Sequence, residues 1–259
     1  MTKKKLIVGN WKMNPETAAE ARTTFTKIKT KAAKLKNADT VICPPSLFLG
    51  DLRKLVTGKR CVLGAQNCHA AVSGAHTGEI SAVQIASMKV PYVILGHSER
   101  RAAGEGDEDI SQKIKAAMAS GLKVILCVGE EKRDRDGKYL RTVEMQLLND
   151  LSKIAKTDLS QLVIAYEPIW AIGKNALRPA TPGDVFEMKI FVKRVLTDKF
   201  GKENADQTMF LYGGSVDDKN TEEFLGDGQA DGLLVGRASL SAEIFGKIME
   251  IGDRVAAKK

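Results

Sequence analysis

Hydrophobic residues in this chain gather into eight short runs: Leu6–Val8, Thr40–Cys43, Cys61–Ala65, Tyr92–Leu95, Val124–Val128, Leu162–Ala165, Met209–Tyr212 and Gly232–Val235. A strand with one wet face alternates apolar and polar residues. Most of these runs are continuous, which suits strands buried on both faces of a parallel sheet. The segments between them are long enough for one crossover helix each, and several carry boundary signals. Asn14-Pro15 predicts an N-cap followed by proline at the first helical position, opening a helix over Glu16–Leu35. Thr181-Pro182 repeats the device before Asp184–Phe200, which Gly201 stops. Gly121 closes a helix running from about Asp109 to Ser120, and another is predicted from about Lys138 to Lys156. Eight strand–helix units in 259 residues predict an α/β protein built as a (β/α)8 barrel, a fold for which roughly 250 residues is typical. No linker, low-complexity tract or shift in composition divides the chain, so residues 1–259 are expected to form a single domain.

A hydrophobic fraction of 43% is ample for a large core. No apolar run approaches the length of a membrane span. Lys3-Lys4-Lys5 leads straight into a strand with no signal-peptide core, so a cytoplasmic protein with no membrane contact is expected. The four cysteines, Cys43, Cys61, Cys68 and Cys127, show no CxxC pairing, and three of them lie in or at the end of apolar runs. They read as small buried residues in a reducing compartment, and no metal site suggests itself. A net charge of +8 raises nucleic acid as a partner. The lysines, however, are spread over several helices among acids, and aromatic residues make up only 5%. The interleaved basic and stacking residues of a nucleic-acid surface are missing, so no nucleic acid is expected. The positive field suits capture of a small anion.

In such barrels the functional groups collect at the C-terminal strand ends. The first run leads into Gly9-Asn10-Trp11-Lys12, the fourth into Gly96-His97-Ser98-Glu99-Arg100, the fifth into Gly129-Glu130 and the sixth into Glu167. The seventh leads into Gly213-Gly214-Ser215 and the eighth into Gly236-Arg237-Ala238-Ser239. Pro168 biases Glu167 towards extended geometry and holds it at the strand end. Trp170, two small apolar residues and Gly173 then make an unusually apolar loop, suited to covering a site and excluding water. An exposed Glu beside a buried Trp is the plainer reading of the same segment. Lys12 is placed to hold an anion as a point charge, or is one more surface lysine. His97, one of three histidines, precedes what reads as the first turn of a short helix. Such a helix start favours the neutral ring. Glycines after the seventh and eighth runs let backbone N–H groups approach a phosphate, unless they serve only the turns.

Four of these segments resemble the triosephosphate isomerase family: Gly9–Asn14, Val93–Arg101, Ala165–Gly173 and Tyr212–Val216, within a similarity from about Lys5 to Ile248. The resemblance implies a TIM barrel that interconverts dihydroxyacetone phosphate and D-glyceraldehyde 3-phosphate in glycolysis and gluconeogenesis, with no cofactor and no metal. Glu167 would be the base, His97 the electrophile, and Lys12 with Asn10 would stabilise the enediolate. Gly173, Ser215 and Gly236 would offer backbone N–H groups to the phosphate, with Arg237 beside them. Ser98, Glu99, Cys127, Glu130 and Trp170 would be supporting residues, Glu130 accepting from the Trp170 indole. The Cys68–Glu79 loop, with Thr77 and Glu79, would enter a second subunit of a homodimer. Two features depart from the family pattern. Arg237 stands where a second glycine is usual, and Lys174–Pro179 makes the rear hinge of the lid two residues longer. That hinge is predicted to be bulkier and stiffer, with Leu177 packed against the barrel rim. Two alternatives stand beside this reading. Another phosphate-binding barrel, such as a sugar-phosphate epimerase, would not combine Lys12, His97 and Glu167. An inert basic barrel acting as an RNA-binding or adhesion protein would have lost at least one of them.

Overall fold

The computed structural model describes residues 4–134, 136–173 and 176–258. Lys3, and Lys174 and Asn175 at the front of the expected rear hinge, lie outside the described residues. The strands are β1 (Lys5–Asn10), β2 (Ala38–Cys43), β3 (Cys61–Ala65), β4 (Tyr92–Leu95), β5 (Lys123–Val128), β6 (Leu162–Tyr166), β7 (Met209–Tyr212) and β8 (Gly232–Val235). They pair in parallel and in chain order, and β8 returns to β1 to close the barrel. Leu6, Val8, Val41, Ile94, Ile125, Cys127, Val163, Ala165, Leu211 and Leu234 fill the barrel interior. Their neighbours Ile7, Ile42, Val93, Leu126, Ile164, Phe210 and Leu233 face outwards into the layer beneath the helices. Both faces of each strand are therefore dry, which is why the runs lack alternation.

The helical layer comprises α1 (Ala18–Ala32), α2 (Ser46–Arg53), α3 (Ala82–Ser87), α4 (Ser98–Ala102), α5 (Asp107–Ala119), α6 (Lys138–Asp150), α7 (Pro182–Phe200), α8 (Lys202–Gln207), α9 (Thr221–Gly226) and α10 (Ala242–Ala257). The α7 boundaries follow the sequence signals. Thr181 and Asp184 form a reciprocal capping box, and Gly201 ends the helix with φ +89°. Other boundaries shift. α1 begins after Thr17, whose hydroxyl accepts from Glu20 N at 3.2 Å, while the Asn14 amide turns back to Trp11 O at 3.4 Å. Asn14 is thus not the cap, because the nearer Thr17 supplies the acceptor. α6 stops at Asp150, short of Lys156, where the backbone tightens to an i→i−3 bond from Ser152 N to Asn149 O at 3.1 Å; the buried Asp150 carboxylate accepts from Arg101 at 2.5 Å. Residues 156–161 form a separate 3-10 turn in which Asp158 accepts from Ala155 N at 2.8 Å.

All four cysteines are free and buried, and burial pushes the Cys61 and Cys68 thiols up to about 12. Among the described residues no helix is long and apolar enough to cross a membrane, and no cluster of potential metal ligands is present.

Candidate active site

The C-terminal strand ends surround a cavity of about 1750 Å³. It is lined by Asn10, Lys12, His97, Ser98, Glu99, Glu130, Glu167, Gly173, Ser215, Gly236 and Arg237. Of the site residues expected from sequence, only Cys127 and Trp170 lie off its wall. Cys127 is part of the barrel interior, where burial raises its thiol well above the ordinary range and the Glu167 carboxylate adds to the effect.

Glu167 follows β6 and extends its ladder by one bond, its N–H donating to Val128 O at 2.8 Å. Its carboxylate is buried. Oε2 accepts from Ser98 N at 2.9 Å, and Oε1 lies 3.1 Å from His97 Nε2. His97 is itself the N-cap of α4, with Glu99 N donating to Nδ1 at 3.2 Å. A ring nitrogen that accepts carries no proton, so the proton of the neutral ring resides on Nε2 and points at Glu167. A backbone donor therefore fixes the tautomer, and the same short helix supplies donors to both functional side chains.

Lys12 occupies the left-handed region at φ +53°, uncommon for a residue with a side chain. Two contacts hold it there. Its N–H donates to Asn10 Oδ1 at 3.0 Å, and the Gln66 amide donates to both Lys12 O and Cys43 O at 2.8 Å. The ammonium then reaches across the mouth to Glu99 Oε1 at 2.5 Å. That pair is largely exposed, so it orients the lysine more than it stabilises the fold.

Beyond Glu167, the Trp170 indole donates to Glu130 Oε1 at 2.7 Å, and the Tyr166 hydroxyl donates to the same oxygen at 2.8 Å. Burial raises the Glu130 carboxyl above its ordinary range, against the pull of these two donors. Ser215 Oγ donates to Ala171 O at 3.1 Å, tying the lid to the turn after β7. Arg237 is exposed and opens a 3-10 turn. It is absent from the non-glycine residues with positive φ, which among the described residues are Lys12, Lys89 and Gln229. The arginine is therefore accommodated without left-handed backbone. Leu177 corrects the sequence expectation. It is 78% exposed, not packed on the rim. Arg178 has taken the apolar contact instead, with its guanidinium 4.4 Å from the Trp170 ring centre.

Sequence reasoning missed a supporting set. Gln66 holds the Lys12 carbonyl. Arg101 ties β4 to β5, donating from Nε to Gly96 O at 2.8 Å and from Nη2 to Cys127 O at 3.2 Å. Gln146, from α6, clasps Gly129 through both its N–H and its carbonyl, at 2.9 and 3.1 Å. Arg101 adjoins the histidine segment and Gln66 follows a strand, and both positions were usable clues. Gln146 lies within a helix and carries no local signal.

A carboxylate, a ring N–H and an ammonium gathered above glycine turns define a (β/α)8-barrel protein with an acid–base site at its C-terminal mouth. The chain matches the family model described as triosephosphate isomerase over residues 5–252. It is 41% identical over 250 residues to the triosephosphate isomerase of Fusobacterium nucleatum subsp. nucleatum, covering 96% of this chain and 98% of that protein. With the same coverage it is 42% identical to the protein of that name from Carboxydothermus hydrogenoformans, and 39% identical to that of Bacteroides fragilis. The chain belongs to the triosephosphate isomerase family.

Proposed function

We propose that this protein interconverts dihydroxyacetone phosphate and D-glyceraldehyde 3-phosphate by proton transfer through an enediolate, serving glycolysis and gluconeogenesis. The observation that carries the reading is the pairing of buried Glu167 with the Nε2–H of His97 at 3.1 Å, with the opposite ring nitrogen pinned by Glu99 N. Glu167 takes a proton from the carbon beside the carbonyl and returns it to the neighbouring carbon. His97 donates its Nε2 hydrogen bond to the substrate oxygen and moves protons between the two oxygens. Lys12 and Asn10 face the charge that develops on them, where preorganised donors in a dry site are most effective. Backbone N–H groups of Gly173, Ser215 and Gly236 bind the phosphate, and Arg237 adds a positive charge at that turn. Ser98, Glu99, Cys127, Glu130 and Trp170 hold this arrangement. Closure of the lid excludes water and strengthens the charge contacts made inside the site. All of this needs neither metal nor cofactor.

The chain acts as a homodimer in the cytoplasm. Apolar Met13, Leu47 and Val72 are 92%, 84% and 64% exposed, and Val72 sits on the loop from Cys68 to Glu79. A groove of about 330 Å³ beside that loop shares Lys12, His97 and Glu99 with the catalytic mouth. A second subunit covering it would stiffen the site. The test of the activity is a coupled assay for aldehyde phosphate formation. Replacing Glu167 by Gln keeps the shape and removes the base, and loss of a general base costs ~10²- to 10⁴-fold or more. Absent turnover in the wild type, or near-normal turnover in that variant, would overturn the reading.

A further inference from the structure

Behind the lid, two arginines that the mechanism does not use converge on one aromatic ring and one carboxylate. Trp170 is buried, and the Arg178 and Arg133 guanidinium carbons stand 4.4 and 5.8 Å from its ring centre. Arg178 Nη1 and Nη2 donate to the two oxygens of Asp184 at 2.7 and 3.0 Å. Arg133 Nη1 lies 3.5 Å from Asp184 Oδ1 and its other end pairs with Glu187. Asp184 is itself rigid, because it accepts from Thr181 N and Thr181 Oγ1 at 2.8 and 2.9 Å in the α7 capping box. The backbone joins the same cluster, with Leu177 N donating to Trp170 O at 2.8 Å.

An exposed ion pair alone contributes little, and the Arg178 side chain is 47% exposed. What distinguishes Arg178 is that one planar group makes a two-pronged bond to a fixed carboxylate and also stacks on a buried ring. A lysine cannot do both. Trp170 leads directly into Ala171, whose carbonyl accepts from Ser215 Oγ at 3.1 Å, and then to Gly173 on the cavity wall. Any freedom in the Trp170 ring is passed within three residues to the lid segment over the phosphate turns.

We propose that Arg178 is a positioning residue of the lid: it fixes Trp170 between Glu130 and Asp184 and thereby sets where Gly173 meets the phosphate of the substrate. The proposal rests on the isomerase reading. Arg178 lines no part of the cavity, so its loss should fall on phosphate capture and not on proton transfer at Glu167. A lid that must be ordered on binding costs affinity.

The test uses the full chain in a Trp11→Phe background, which leaves Trp170 as the reporter in a chain of two tryptophans. Acrylamide quenching and emission wavelength of Trp170 are measured with and without saturating inorganic phosphate, alongside KM and kcat. Arg178→Ala should increase quenching in the free protein. It should raise KM about three- to tenfold with kcat nearly unchanged, the scale of a lost guanidinium–aromatic contact. Arg178→Lys should restore less than half of either effect, and Arg178→Gln gives the same comparison if the alanine variant does not fold. Unchanged quenching overturns the proposal. So does increased quenching with wild-type KM, because Arg178 would then pack Trp170 without positioning the lid. If the wild type shows no isomerase activity, the isomerase reading fails, while the quenching series with phosphate still decides whether Arg178 orders the lid.

Discussion

Replacing Gly129 by alanine is expected to disable the enzyme through a residue with no side chain and no role in the chemistry. A Cβ at this position would stand 1.8 Å from the carbonyl oxygen of Glu167 and 2.6 Å from its carbonyl carbon. Carbon approaches a carbonyl oxygen to about 3.3 Å, so one backbone must give way by roughly 1.5 Å. Gly129 is the less able to move, because Gln146 grips its N–H and its carbonyl at 2.9 and 3.1 Å. The displacement therefore falls on Glu167, whose carboxylate then loses its bonds to Ser98 N at 2.9 Å and His97 Nε2 at 3.1 Å. A misplacement of ~1 Å in a reacting group costs about 10²-fold in rate, and overpacking of this kind destabilises by about 1–3 kcal/mol. The coupled assay across substrate concentrations should show kcat lowered by about 10²-fold. Thermal unfolding should show a modestly lower but still cooperative transition. Gly226→Ala serves as the control, since a Cβ there meets nothing within 4 Å. A Gly129→Ala enzyme with wild-type kcat would refute the argument.

Lys12→Ala should lower phosphate-ester binding and turnover together, because the charge faces ground state and enediolate alike. Steady-state kinetics at two salt concentrations checks this, and wild-type behaviour would reduce Lys12 to a surface residue. Asp184 gives a pH signature. Burial pushes its carboxyl up, but the Arg178 fork, the Thr181 donors and the Arg133 charge outweigh this and hold it at about 2 against an ordinary 3.8. A carboxyl depressed in the folded state stabilises fully above its unfolded value and loses that contribution as pH falls through its folded value. The melting-temperature gap between wild type and Asp184→Asn should therefore be flat at neutral pH and shrink from about pH 4 to about pH 2. A gap that widens on acidification would contradict the assignment. Light scattering should report a dimer in solution, and a stable monomer with full activity would exclude a catalytic role for the Cys68–Glu79 interface.

Much of this molecule is written in short-range pattern. The eight apolar runs specify a sheet buried on both faces. Thr181 and Asp184 announce the start of α7, Gly201 announces its end, and Pro168 marks where β6 delivers its carboxylate. Each of these signals acts within a few residues, through capping, φ restriction or strand periodicity, and so survives reading without a fold. The segments around Lys12, His97 and Glu167 were equally legible. Their mutual geometry was not, because Ser98 N and the Glu167 carboxylate meet across 69 positions of sequence. Gln146 on Gly129 carries no local mark, and the positions of Gln66 and Arg101 hint at the site without naming their partners, since barrel closure alone brings Gln66 to Lys12 O and Arg101 to Cys127 O. Leu177 shows the limit most clearly. By hydropathy it belongs on the rim, yet it faces solvent, because Arg178 gains both a fixed carboxylate and the face of a buried tryptophan. That competition between neighbours is settled by where Asp184 and Trp170 stand in three dimensions, information that hydrophobicity along the chain does not contain.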